Sequence, residues 1–263
     1  MEQHSVGEFY RKADFEDLGF SFTTNNVYSH TYYETKKKAM ENLDLASAGT
    51  VLDVGCGQGN LLRLICTVYK NLEAVGVDLN RKELRRAKHK APQCEFIVAE
   101  ASLLPFTDSS FGRVVCTAVL EHVVDENKTL REIWRVLKEG EIAVIDVPGM
   151  YHLQNKLSDF FIQRLGVFPF HREYSFEGMK NLIGRSDFEL LSFNTARFIG
   201  SLLLPVIETV YTPCRRKIVW CRGLLAKLVC KIGDVMLSMC SNMKHVQQLG
   251  GSWFFKIRKP ARL

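Results

Sequence analysis

The residues most able to do chemistry lie together in one short stretch. Asp53 sits near the end of the apolar run Thr50-Val51-Leu52-Asp53-Val54, and Gly55, Gly57 and Gly59 follow it at once. Such a run reads as a buried parallel strand. The glycines let the backbone turn with positive φ and lie close to a ligand, while a helix expected over Leu61–Tyr69 points its first amides into the same space. The spacing is not that of a dinucleotide turn, G-x-G-x-x-G. The third glycine comes one residue early, Asn60 holds its place, and an acid stands two residues before the first glycine. A pyrophosphate would meet Asp53 as a like charge, whereas a ligand carrying an ammonium group and no phosphate would be attracted. A second acid, Asp78, ends the run Glu73-Ala74-Val75-Gly76-Val77-Asp78, at about the interval where dinucleotide-type folds place a ribose-binding carboxylate. The competing role is capping, by Asp78 or Asn80, of a helix over Arg81–His89.

These groups need a frame, and the chain supplies one. At 263 residues, 46% hydrophobic and 24% charged, it has the makeup of one large globular domain. Met1–Phe9 lacks the basic-then-apolar layout of a secretory signal, so the cytoplasm is the expected location. Eight cysteines are scattered without a C-x-x-C or a paired histidine, which predicts reduced thiols packed as small hydrophobes, no metal site and no cysteine nucleophile.

In chain order, Tyr32–Leu43 reads as a helix with Ala39, Met40 and Leu43 on one face and Lys36–Lys38 exposed on the other. Further strands are expected at Glu95–Ala99, Val114–Thr117, Glu141–Val147, Phe188–Ala196 and Ser252–Arg258. Helices are expected at Glu126–Leu137, with Leu130, Ile133, Trp134 and Leu137 on the sheet, and at Phe176–Arg185, capped by Ser175. His122 follows the fourth strand at the carboxyl edge, where ligands bind and where a near-neutral imidazole would suit a general base.

The acid–glycine turn, the acid after the second strand, the segment Leu104-Pro105-Phe106 with Asp108-Ser109-Ser110-Phe111, and Leu120-Glu121-His122 resemble the class I S-adenosylmethionine-dependent methyltransferases. Within them the likeness is to the ubiquinone/menaquinone-biosynthesis group, methyltransferase type 11. It runs from about Tyr33 to Asp146 and returns at the last strand. The resemblance implies an α/β Rossmann-like fold: a seven-stranded, mostly parallel sheet with helices on both faces and the last strand antiparallel. It implies S-adenosyl-L-methionine as cofactor, its methionine part held by Asp53, Gly55, Cys56, Gly57 and Gly59. Asp78 then takes the ribose, Leu79 offers an apolar surface to the adenine, Glu100 and the backbone at Ala101 contact the base, and Thr117 completes the set. Ala101 departs from the family pattern, since many relatives keep an acid or amide there. In the family the segment over the pocket precedes the first strand, so Tyr28, Tyr32 or Tyr33 either closes the site or only packs. His122 is either a base or part of the cofactor lining. His171-Arg172 look like a His-x-Arg-type segment that either reaches the acceptor or ties loop to helix. His122 and His171 are thus the catalytic candidates, and neither is required, because methyl transfer depends foremost on alignment.

Residues 198–250 exceed what the last strand connection needs. Phe198–Val210 is almost wholly apolar yet proline-broken and too short to span a membrane. Beyond it Ile218, Cys221, Leu225, Leu228, Ile232, Val235 and Met239 recur at helical spacing, and no acid occurs between Glu208 and Asp234. This basic amphipathic segment fits an anionic membrane surface, contacted through 198–243, or a lid or homodimer face. A nucleic-acid patch is the weakest fit, for want of interleaved aromatics. The expected organisation is a cap over 1–49, a core over 50–197 and 251–263, and an insert over 198–250. The expected function is methyl transfer to a small-molecule or lipid-like acceptor at the membrane periphery. The alternative is an inactive cofactor-binding domain serving as a membrane-associated regulatory subunit.

Overall fold

A computed structural model describes residues 27–148, 172–196 and 252–261. In order they form α1 (Val27–Asn42), a short 3-10 turn (Leu45–Ser47), β1 (Thr50–Val54), α2 (Asn60–Val68), β2 (Glu73–Asp78), α3 (Arg81–Lys90) and β3 (Glu95–Val98). Then come β4 (Phe111–Thr117), α4 (Glu126–Val136), β5 (Leu137–Pro148), α5 (Phe176–Gly184), β6 (Glu189–Ala196) and β7 (Ser252–Arg258). The seven strands make one sheet in the order β3-β2-β1-β4-β5-β7-β6. The first five pair in parallel, and β7 runs antiparallel to both β5 and β6. The expected fold class is therefore the observed one. The strand order reverses between β1 and β4, and a doubly wound sheet opens a crevice at the carboxyl ends of the strands there.

Alternation along the central strands divides the core. Leu52, Val54, Val114, Cys116, Ala143 and Ile145 pack with Leu130 and Ile133 of α4 and Met179 and Ile183 of α5. Val51, Val115, Val144 and Phe254 face the other way, onto Ala39 and Leu43 of α1 and Leu61, Leu62 and Ile65 of α2. Every residue of β4 is buried, as a central parallel strand covered on both faces should be. Caps fix the helix starts: Ser175 accepts from the Gly178 N–H on α5, and Asp125 accepts from the Lys128 N–H on α4.

Element boundaries differ modestly from the sequence reading. The helix α1 starts at Val27, five residues before Tyr32, and β5 begins at Leu137, directly after α4. One expectation is corrected. Lys36 is not on an exposed face but is only 6% accessible. Residues 36, 39 and 43 lie at i, i+3 and i+7, so seating Ala39 and Leu43 against the sheet carries Lys36 inward with them. Its neighbours Lys37 and Lys38 do face solvent and pair with Glu41 at 3.9 and 3.7 Å. No helix among the described residues is long and apolar enough to cross a membrane. The expected insert over 198–250 and His171 lie outside the described residues.

Candidate cofactor site

Because side chains alternate, Asp53 shares the face of Val51 and so points toward α1 and α2. It is completely buried, and neither carboxylate oxygen accepts a hydrogen bond from any described residue. Burial pushes its pKa up to about 7; Lys36 opposes this and Asp78 adds to it. Just beyond, the turn is pinned to β2: the Gly55 and Cys56 amides both donate to the Val77 carbonyl, at 2.8 and 3.0 Å. Gly55, Gly57 and Gly59 all adopt positive φ, at 73°, 51° and 68°. Gly55 is further constrained from outside, since a Cβ there would lie 2.2 Å from Val119 Cγ2. At Gly57 an added Cβ meets no atom within 4 Å, so this part of the turn opens onto free space.

Asp78 closes the other side. Its Oδ2 accepts from the Gly57 N–H at 2.9 Å and its Oδ1 from the Asn80 N–H at 2.8 Å. Burial raises its pKa, while those two backbone bonds pull the other way. Capping of α3 falls to Asn80, whose Oδ1 accepts from Lys82 N and Glu83 N. Asp78 therefore joins the glycine turn to the end of β2. The adenine-side candidates lie next along the same edge: Val98 of β3 is in register with Asp78, Ala99 N donates to the Asp78 carbonyl at 3.2 Å, and Leu79, Glu100 and Ala101 are all half-buried.

Thr117, also buried, ends β4 beside Gly55 and on the face of Val115; its hydroxyl accepts a hydrogen bond from Lys36 Nζ. Across the next pair it is in register with Asp146 of β5, which is buried as well. Immediately after Thr117, Ala118 takes φ 55°, a left-handed conformation rare for alanine, and its N–H donates to the Asp146 carbonyl. This sharp exit sets Val119 against Gly55. His122 follows, half-buried, with Nε2 4.0 Å from Glu121 Oε1. Arg172 is bonded to this connection. Its N–H donates to the Glu121 carbonyl, its guanidinium donates to the Val123 and Val124 carbonyls and pairs with Glu126 at 2.5 Å. These bonds hold the segment before α5 against the connection that leads into α4.

Sequence reasoning overlooked Lys36, Asp146 and the turn at Ala118. The first had a readable signal, the i, i+3, i+7 stripe running through a lysine block. The other two did not, because an acid inside an apolar strand or an alanine after one carries no local mark of its role. Cys56, Cys66, Cys94 and Cys116 are free and buried, and burial holds the thiols of Cys56 and Cys116 well above the usual range. Among the described residues no three potential ligands gather around a metal position.

Residues 52–145 match the family described as Methyltransferase domain. Over 167 residues the chain is 30% identical to the demethylmenaquinone methyltransferase of Thermotoga maritima, an alignment covering 62% of this chain and 70% of that protein. The chain belongs to the class I S-adenosylmethionine-dependent methyltransferases. The fold of the methyltransferase agrees. A crystal structure of an S-adenosylmethionine-dependent methyltransferase from Thermotoga maritima superposes with TM-score 0.62 at 15% identity, covering 98% of this chain and all of that one. Phosphoethanolamine N-methyltransferase 2 of Haemonchus contortus, solved with S-adenosyl-L-methionine, gives TM-score 0.62 at 19% identity over 97% of this chain and 60% of that one. The chain is thus an S-adenosylmethionine-dependent methyltransferase of small molecules. The residues at the turn fit that cofactor: a buried carboxylate with unused acceptor capacity suits an ammonium, and a turn open at Gly57 leaves room beside it.

Proposed function

We propose that this methyltransferase acts on a small, lipid-like acceptor. In this reading Asp53, Gly55, Cys56, Gly57 and Gly59 hold the methionine part of the cofactor, Asp78 the ribose, Leu79, Glu100 and Ala101 the adenine, and Thr117 lines the floor. The observation that carries the site is Asp53, a carboxylate buried without hydrogen bonds at the mouth of the glycine turn. A fold does not keep such a group without cost, and a ligand's ammonium removes that cost on binding.

Bound S-adenosylmethionine supplies an electrophilic methyl group on a positively charged sulfur. The chain's own task is alignment. Holding two reactants in attack geometry contributes on the order of 7–11 kcal/mol in favourable cases without a dedicated base. His122 then lines the cofactor side without being essential. The name of the Thermotoga maritima relative, demethylmenaquinone methyltransferase, and the apolar, basic character of 198–243 support a lipid-like acceptor. On this reading residues 1–49 cap the pocket, 50–197 and 251–263 form the core, and 198–250 bring the core to the cytoplasmic face of a membrane.

The test is incubation with methyl-labelled cofactor and separately fractionated lipid and water-soluble cell extracts, followed by product mass. Label in a lipid product supports the reading. Label confined to water-soluble products overturns the lipid-like acceptor, and no labelled product in any fraction, with S-adenosylhomocysteine still bound, overturns transfer itself.

A further inference from the structure

Two of the buried thiols touch. Cys66 lies in the last turn of α2 and Cys94 directly before β3, 28 residues further on, yet their sulfurs stand 3.4 Å apart. Both belong to the core that α1 and α2 make with the sheet; Cys66 is 7% accessible and Cys94 not at all. The pair lies just under the surface, since Thr67, Val68, Pro92, Gln93 and Glu95 beside them in the chain are all exposed. The backbone is braced at Cys94, whose N–H donates to the Ala91 carbonyl at 3.0 Å and whose carbonyl accepts from Lys88 Nζ at 2.9 Å. Contact also divides the two thiols chemically. The hydrogen bond from Cys94 holds Cys66 below the usual thiol range, with help from Lys70 and against burial, while the same bond and burial push Cys94 up. Cys66 is therefore the more acidic and the more reachable of the two, unlike Cys56 and Cys116, which burial holds well above that range.

We infer that Cys66 and Cys94 are a peroxide-reactive pair that closes into a disulfide joining α2 to the start of β3. The Cys66 thiolate attacks one oxygen of a hydroperoxide; an S–O bond forms, the O–O bond breaks, and the leaving oxygen takes a proton to become water or an alcohol. Two electrons pass from the sulfur to the peroxide. The Cys94 sulfur then attacks the sulfur of the Cys66 sulfenic acid, the S–S bond forms, the S–O bond breaks, and hydroxide leaves with the Cys94 proton as water. An S–S bond is about 2.0 Å long, so the sulfurs close from 3.4 Å by about 1.4 Å, within what rotation about the two Cα–Cβ bonds supplies. Prompt closure keeps Cys66 from the irreversible sulfinic and sulfonic acids. The other end of α2 already meets β3, since a Cβ added at Gly59 would lie 2.9 Å from Phe96 Cζ. The disulfide thus fastens both ends of α2 to the edge strand, and it does so where β3 begins, away from the proposed cofactor positions.

The competing explanation is that the two thiols only pack. Hydrogen peroxide in small excess over the reduced full chain at pH 8, followed by alkylation in denaturant and tryptic digestion without reductant, separates the two. The expected product is residues 64–70 linked to residues 91–113, lighter by two hydrogens than the separate peptides and split by dithiothreitol. In urea the same treatment should scatter bonds among the eight cysteines, because the contact depends on the fold. Cys94→Ala should leave Cys66 as a sulfenic acid that dimedone traps, and Cys66→Ala should leave Cys94 fully open to alkylation. The linked wild type should melt several degrees above the reduced protein, the ordinary effect of a bond that closes a loop of this length. Full alkylation of both Cys66 and Cys94 after peroxide, or a linked product no more abundant than those of other cysteine pairs, overturns the inference, and the wild-type digest decides this even where a variant fails to fold. A linked protein that melts below the reduced one overturns the closure of this bond within the native fold.

Discussion

The Oδ2 of Asp78 accepts a hydrogen bond from the Gly57 N–H at 2.9 Å, across a sequence separation of 21 residues. One carboxylate thereby holds the middle of the glycine turn and remains at the edge where ribose hydroxyls are proposed to bind. Removing it should do two things at once. Asp78→Ala is expected to weaken S-adenosylhomocysteine binding by about 1–3 kcal/mol and to lower the melting temperature of the cofactor-free protein. Unchanged affinity in titration calorimetry would exclude Asp78 from the site, and unchanged melting would show that the turn holds without it.

Asp53 makes cofactor binding depend on pH. Its pKa in the folded, cofactor-free chain is raised from 3.8 to about 7, chiefly by burial. An ammonium ligand favours the ionised form, so binding below about pH 7 must expel a proton, and affinity should fall as pH drops, approaching tenfold per unit. Calorimetry at pH 6 in buffers of different ionisation enthalpy should register proton release, and Asp53→Asn should abolish it. Stability moves the opposite way. Between about pH 4 and 7 the folded state binds a proton that the unfolded chain has lost, so holding Asp53 ionised above pH 7 costs on the order of 4 kcal/mol, relieved as pH falls. The melting advantage of Asp53→Asn over wild type should accordingly be largest at pH 8 and shrink toward pH 5.

His122→Ala should reduce turnover only modestly, because its imidazole is proposed to line the site without removing a proton from the acceptor. A fall beyond about a thousandfold with S-adenosylhomocysteine affinity preserved would identify a general base instead.

The sequence 198–243 is expected to hold the protein on anionic vesicles. Cations near an anionic surface contribute about 1 kcal/mol each, and salt weakens them. The full chain should sediment with such vesicles, less at high salt, and glutamine at Arg215, Arg216, Lys217, Arg222, Lys227 and Lys231 should leave it in the supernatant. A chain that ignores vesicles but elutes as a dimer, dissociated by polar residues at Leu225, Leu228 and Ile232, would make this stripe a protein interface.

Much of the sheet was legible because parallel strands buried on both faces write themselves as apolar runs, as Val114-Val115-Cys116 does. The glycine turn was legible for a different reason: three glycines at alternate positions have a backbone cause, and all three take positive φ. What escaped was long-range. Lys36 looks like part of a solvated lysine block until α1 is laid on the sheet, and Asp78 holding the Gly57 amide depends on two strands meeting in one register. Boundaries shifted where no cap or breaker marks them, as at the start of α1, while Asn80, Asp125 and Ser175 fixed theirs through their side chains.

Among the described strands β6 hydrogen-bonds to β7 alone, and β7 lies between β5 and β6. Protein synthesis delivers β6 well before β7, so β6 emerges from the ribosome ahead of the strand it pairs with among the described residues. Until Ser252–Arg258 arrives, the border of β5 that β7 will take is open to pairing with another strand, and the apolar surfaces that Trp253, Phe254 and Phe255 will cover stay open. The nascent protein therefore passes through a vulnerable interval that ends when β7 slots in. Products cut short before Ser252 are accordingly expected to aggregate more readily than the full chain.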